Sequence, residues 1–244
     1  MTIREPVEEL FPAYSRTAYR AIKKILGAGM NRAYRIRAEG LENVPADGNG
    51  IIAANHISFV DSLFIPLVIP RRVTYLAKAE YWDSWKTRWF FELVGQIPVR
   101  RDNSAKAAAA LESGMRVLGR SGLLGIYPEG TRSPDGCLYR GKTGVARMAA
   151  TADAPVIPVG LVGTREIMPK DAKMPNLRGE VIVRFGEPRR ISKDEMENDP
   201  LALRSFVDAL MFDICTLSGQ TYKDEYAGKK KSGDASPEKV GAAA

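Results

Sequence analysis

The sequence predicts a single α/β domain in which a mixed, largely parallel core sheet is flanked by helices, with an N-terminal amphipathic helical segment ahead of it. Three observations lead there. Short apolar runs alternate with helical periodicity from Tyr34 onward, the signature of strand–helix units. The chain has 244 residues, of which 45% are hydrophobic, enough to bury one sizeable core. No apolar run approaches the roughly 18 to 20 residues that a spanning helix needs.

In chain order, residues 7–26 read as a helix, because Phe11, Tyr14, Ala18, Ala21, Ile22 and Ile25 recur at three- and four-residue steps; Gly27 and Gly29 are expected to weaken it. Strands are predicted at 34–39, 50–54, 73–77, 97–100, 123–127, 156–161 and 180–185, and helices near 62–67, 80–94, 104–119 and 143–152. A last helix opens on the capping box Ser192-Lys-Asp-Glu195 and is open to interruption at Pro200. Three parts are expected: a basic amphipathic segment over 1–33, the α/β domain over 34–218, and a disordered tail over 219–244, where Lys, Gly, Ala and Ser dominate.

Charge is unevenly placed. Lys and Arg number 36 against 29 Asp and Glu, a net +7, yet between Leu10 and Ala38 there is no acid beside Arg16, Arg20, Lys23, Lys24, Arg32, Arg35 and Arg37. Without that segment the chain is neutral. Such a helix suits an anionic membrane surface, or packs on its own domain with a solvated basic face. Nucleic acid is not expected as a partner, because the bases cluster on one helix rather than interleaving with stacking aromatics. Two distant cysteines, Cys137 and Cys215, form no disulfide framework, and the acidic start lacks a signal-peptide core, so an intracellular setting is expected.

Two loops concentrate the chemistry. His56, the one histidine, follows the apolar run Gly50–Ala54, and Asp61 stands five residues on. The carboxylate can fix the imidazole tautomer and leave the other nitrogen as a base; the same residues also read as a helix start, with Ser58 as N-cap. Tyr127-Pro-Glu129-Gly130-Thr131-Arg132 follows a second apolar run and offers backbone N–H groups, a hydroxyl and a guanidinium to a phosphate, or is a polar turn with a local ion pair. Lys78, Arg100, Arg101 and Lys142 stand near other strand exits. Trp82, Trp85 and Trp89 share one helix face, as core, as the lining of an acyl groove or at a membrane interface. No Gly-x-Ser-x-Gly elbow, Walker loop or Gly-x-Gly-x-x-Gly fingerprint occurs, and a metal site is not expected.

The ordered set Asn55-His56-x4-Asp61, Gly95 to Arg101, Glu129-Gly-Thr-Arg-Ser133 and Val156 to Gly160 resembles the four blocks of the PlsC-type glycerolipid acyltransferases, the 1-acylglycerol-3-phosphate acyltransferases, over about residues 35–190. The resemblance implies direct acyl transfer from a thioester of CoA or acyl carrier protein to lysophosphatidic acid, giving phosphatidic acid, with no other cofactor. It makes His56 and Asp61 catalytic, and places Lys78, Arg101, Glu129, Gly130, Thr131 and Arg132 at the acceptor. It also implies a peripheral enzyme on the cytoplasmic face of the plasma membrane. Arg100 departs from the acid common at that position, which is reminiscent of enzymes acting on glycerol-3-phosphate and keeps that acceptor, another lysophospholipid or a glycolipid as alternatives.

Overall fold

A computed structural model describes residues 16–78, 83–84, 88, 96–99, 106–169, 172 and 174–227. The strands are β1 (Tyr34–Glu39), β2 (Gly50–Ala54), β3 (Val73–Lys78), β4 (Ile97–Val99), β5 (Leu123–Ile126), β6 (Leu138–Tyr139), β7 (Val156–Val162), β8 (Gly179–Phe185) and β9 (Tyr222–Lys223). The helices are α1 (Arg16–Ala33), α2 (Asp61–Val68), α3 (Lys106–Leu118), α4 (Gly144–Ala152), α5 (Thr164–Ile167), α6 (Lys193–Asn198) and α7 (Ala202–Ser218).

Among the described residues, seven strands form one sheet in the order β1-β8-β7-β2-β5-β3-β4. The five strands from β7 to β4 run parallel, β8 is antiparallel to β7, and β1 is parallel to β8. β2 lies inside this sheet, and all five of its residues are buried, as strands covered on both faces must be. The period-two alternation divides its side chains. Ile51 and Ala53 join the core beneath α3, α4 and α7, whereas Ile52 and Ala54 join the opposite core with Phe64 and Ile65 of α2. This sandwich of strand between two helical layers brings the C-terminal ends of β2, β5 and β7 to one rim.

The predicted strands correspond to β1 to β5, β7 and β8 within a residue or two, and β5 stops one residue early, so Tyr127 leaves the sheet. Pro200 does interrupt the last helical stretch, which divides into α6 and α7, and the capping box forms: Ser192 Oγ accepts from Glu195 N at 3.1 Å, and Ser192 N donates to Glu195 Oε2 at 2.7 Å. The predicted helix over 80–94 lies almost entirely outside the described residues, as do Trp82, Trp85 and Trp89.

Two expectations are corrected. α1 does not fade at Gly27 and Gly29 but continues to Ala33. Each glycine costs about 1 kcal/mol relative to alanine, which the packing of Met30 and Ala33 against the α2-side core offsets. The tail does not begin at residue 219. β9 pairs with β6, Leu138 N donates to Thr221 O at 2.9 Å, and Arg140 N donates to Glu225 O at 3.0 Å. Low apolar content hid this segment because backbone bonds and polar side chains, rather than burial, hold it.

Candidate active site

The site is built where β2 and β5 hand over to loops. After Ala54 the chain leaves the sheet, and Asn55 is tied to β7: its amide nitrogen donates to Leu161 O at 3.0 Å and its oxygen accepts from Leu161 N at 2.7 Å. His56 therefore projects from a fixed point. Its Nδ1 lies 2.9 Å from Asp61 Oδ2, and because a carboxylate only accepts, Nδ1 carries the hydrogen. The Nε2 atom has no protein partner among the described residues.

Asp61, the first residue of α2, is fully buried. Its Oδ2 also accepts from Ile57 N and Ser58 N, both at 2.8 Å, and its Oδ1 accepts from the Thr164 hydroxyl at 2.6 Å. Those four donors compensate the buried charge and lock its orientation. The two readings of this segment thus coincide in one carboxylate, which gathers the turn before α2 and aims the histidine. Ser58 is not the N-cap; its hydroxyl donates to Met168 O at 2.8 Å and Val60 occupies the cap position.

Tyr127, just past β5, stacks on the imidazole with ring centroids 3.8 Å apart and planes 10° from parallel. An aromatic face stacked there limits rotation of the imidazole ring. Tyr127 is fixed in turn by the Ser62 hydroxyl at 2.8 Å and by Tyr75, whose ring centroid is 5.4 Å away. A Cβ at residue 125 would fall 2.3 Å from the Tyr75 ring, so only Gly125 lets Tyr75 cross the sheet to reach this place. Burial raises the Tyr127 hydroxyl far above its ordinary pKa, which keeps it neutral.

The loop after Tyr127 is tied to the backbone of His56. Gly130 N donates to Tyr127 O at 2.9 Å in a turn that places Gly130 at φ 76°, a conformation that favours glycine. Ser133 N donates to His56 O at 2.7 Å. Glu129 does not face the loop's open side, as a residue holding glycerol phosphate would. It is buried, and its two oxygens accept from His56 N and Tyr139 N, each at 3.0 Å. Burial raises its carboxyl to about 7, against the pull of those two amide bonds. Gly130 and Thr131 are exposed and Arg132 is half-buried, and Arg132 has no ion-pair partner among the described residues. Lys78 ends β3, while Arg100 and Arg101 lie outside the described residues.

Sequence reasoning missed Thr164 and Gln220. The Gln220 side chain accepts from Asn55 Nδ2 at 2.7 Å and donates to Gly136 O at 2.6 Å, bridging the segment before His56 to the loop after Arg132. Neither carries a local signal, since each lies more than a hundred residues along the chain from its partner on the His56 segment.

Comparison with known proteins gives this geometry its lineage. A family model described as Acyltransferase matches residues 35–162, just over half of the chain. The chain is 30% identical over 198 residues to the chloroplastic 1-acyl-sn-glycerol-3-phosphate acyltransferase LPAT1 of Arabidopsis thaliana, covering 80% of this chain and 55% of that protein. It is 28% identical over 155 residues to the 1-acyl-sn-glycerol-3-phosphate acyltransferase of Bacillus subtilis, covering 63% of this chain and 73% of that one. The chain thus spans about half the length of the plant relative. The crystal structure of the 1-acyl-sn-glycerophosphate acyltransferase PlsC from Thermotoga maritima shares the fold, with a TM-score of 0.64 at 24% identity over 86% of this chain and 85% of that one. With His56 and Asp61 paired inside the matched region and Glu129 bonded to His56 N, the chain belongs to the Acyltransferase family.

Proposed function

We propose that this protein moves a fatty acyl group from an acyl thioester, of CoA or acyl carrier protein, to the free hydroxyl of lysophosphatidic acid, forming phosphatidic acid. The observation that carries the reading is the His56 imidazole, with Nδ1 held by buried Asp61 and Nε2 without a protein partner beside a loop that bears Arg132. The names of the Arabidopsis and Bacillus relatives support the choice of acceptor. In this mechanism Nε2 removes the acceptor hydroxyl proton as the oxygen attacks the thioester carbonyl. Asp61 stabilises the imidazolium, which returns the proton to the departing thiolate as the C–S bond breaks. No acyl-enzyme is required. Arg132 and the Gly130–Thr131 backbone bind the acceptor phosphate, with Lys78 and Arg101 as further candidates; Glu129 shapes the loop rather than touching the acceptor.

The reading extends to a peripheral enzyme at an anionic membrane surface. No helix among the described residues is long and apolar enough to cross a membrane. α1 packs on its own domain through Lys23, which donates to Ile69 O, and through Tyr19, with Arg72 5.3 Å over its ring; Ile25 (73% exposed), Leu26 (36%) and Lys24 are exposed, which supports contact with such a surface. Partial burial lowers the Lys23 ammonium to about 8.

The test is thiol release from palmitoyl-CoA with lysophosphatidic acid or glycerol-3-phosphate as acceptor, for the wild-type chain and His56→Ala. Release that needs both lysophosphatidic acid and His56 is the expected result. Preference for glycerol-3-phosphate would move the acceptor, and a folded, fully active His56→Ala would overturn the mechanism.

A further inference from the structure

Lys142 has no role in the reading above, yet its side chain lies directly on the acceptor loop. A Cβ placed on Gly130 would stand 2.8 Å from Lys142 Nζ, 3.1 Å from Cε and 3.3 Å from Cδ, so the whole outer stem lies across that glycine. The backbone is pinned as well, because Lys142 N donates to Pro128 O at 2.9 Å. Lys223 is paired with Asp135, Arg140 with Asp224 at 3.5 Å, and Arg204 with Asp208. Lys142 is exposed, and neither it nor Arg132 has an ion-pair partner among the described residues. A lysine freed from pairing, whose stem is laid against the one loop position without a side chain, is a point charge held ready for an anion.

From this, and resting on the acyltransferase reading, we propose that Lys142 is a binding residue for the acceptor's phosphate monoester, forming with Arg132 a two-cation clamp over Gly130. Gly130 follows Tyr127 by one turn, and the Tyr127 ring lies 3.8 Å from the imidazole. A phosphate on the carbon next to the reacting hydroxyl must lie close to His56 when that hydroxyl reaches Nε2. The phosphates of CoA lie at the far end of the pantetheine arm, remote from the thioester and hence from the reacting hydroxyl. Gly130 is then required twice, for its positive φ and for the space the lysine stem fills.

The experiment compares the full chain with Lys142→Met, Lys142→Arg and Arg132→Met, measuring KM and kcat for lysophosphatidic acid and KM for palmitoyl-CoA, with monoacylglycerol as a phosphate-free acceptor. Lys142→Met keeps the stem and removes the charge. It is expected to raise the lysophosphatidic acid KM about tenfold, a differential binding loss near 1.4 kcal/mol, with kcat and the palmitoyl-CoA KM changed less than twofold. Lys142→Arg, which keeps the charge, is expected to recover most of that loss. A rise in the palmitoyl-CoA KM instead, or no change in either, overturns the assignment. If Arg132→Met weakens lysophosphatidic acid and Lys142→Met does not, only the Lys142 role falls. If the wild-type chain uses monoacylglycerol as well as lysophosphatidic acid, the acceptor reading itself falls and the clamp with it.

Discussion

The His56 Nδ1 atom donates to Asp61 Oδ2 across 2.9 Å, and the same oxygen holds the amides of Ile57 and Ser58. One carboxylate oxygen therefore sets both the backbone turn and the ring that hangs from it. The fold thus preorganises the imidazole, and in the proposed mechanism the charge of Asp61 would stabilise the imidazolium.

Asp61→Asn separates those two duties. An Asn oxygen in the place of Oδ2 keeps all three donors, and its amide can donate to the Thr164 hydroxyl, so urea unfolding should shift by no more than about 1 kcal/mol. The lost charge should lower turnover about 10²- to 10⁴-fold. Parallel unfolding and steady-state assays check this; a large loss of stability with no added kinetic defect would make Asp61 purely structural.

Glu129 makes stability depend on pH. Its carboxyl is raised to about 7 in the folded protein from an ordinary value near 4.5. The folded state therefore binds the proton more tightly than the unfolded one, and this group's contribution is fully present below about pH 4.5. It is lost as pH rises through about 7, by up to about 3 kcal/mol. Glu129→Gln should flatten that part of the stability profile from pH 4.5 to 8 and, by leaving one backbone amide without its acceptor, cost about 1 to 3 kcal/mol. An unchanged slope in urea titrations of the variant would assign the pH dependence elsewhere.

Gln220, two residues past α7, ties the segment before β9 to Asn55 and to Gly136 O. Gln220→Ala should reduce kcat severalfold and speed hydrogen exchange at Ser133 N, which donates to His56 O. Gln220→Glu should be more damaging, because a carboxylate still accepts from Asn55 but sets a negative oxygen against the Gly136 carbonyl. Equal effects of the two variants would reduce Gln220 to a packing residue.

The outward face of α1 predicts lipid binding without structural cost. Ile25→Asp with Leu26→Asp should weaken sedimentation with phosphatidylglycerol vesicles at least tenfold while leaving the melting temperature in place, since both side chains are exposed. Undiminished vesicle binding would place the lipid contact on another surface.

What the sequence by itself determined is short in range. A short continuous apolar run marks β2, a Ser–Glu pair three apart marks the capping box, and His56 and Asp61 are separated by only five residues, so one strand-to-helix turn suffices to join them. The tertiary structure decided everything that depends on distant segments meeting. Thr164 reaches Asp61 because β7 pairs with β2, and Gln220 reaches Asn55 because α7 packs beside β7 and releases the chain at the same rim. Glu129 is the sharpest case: its loop reads as a candidate anion site or a polar turn, and two backbone amides from separate segments turn its carboxylate inward. Local periodicity records which face of an element is buried, whereas the partner of a polar side chain is chosen only when the sheet order is complete.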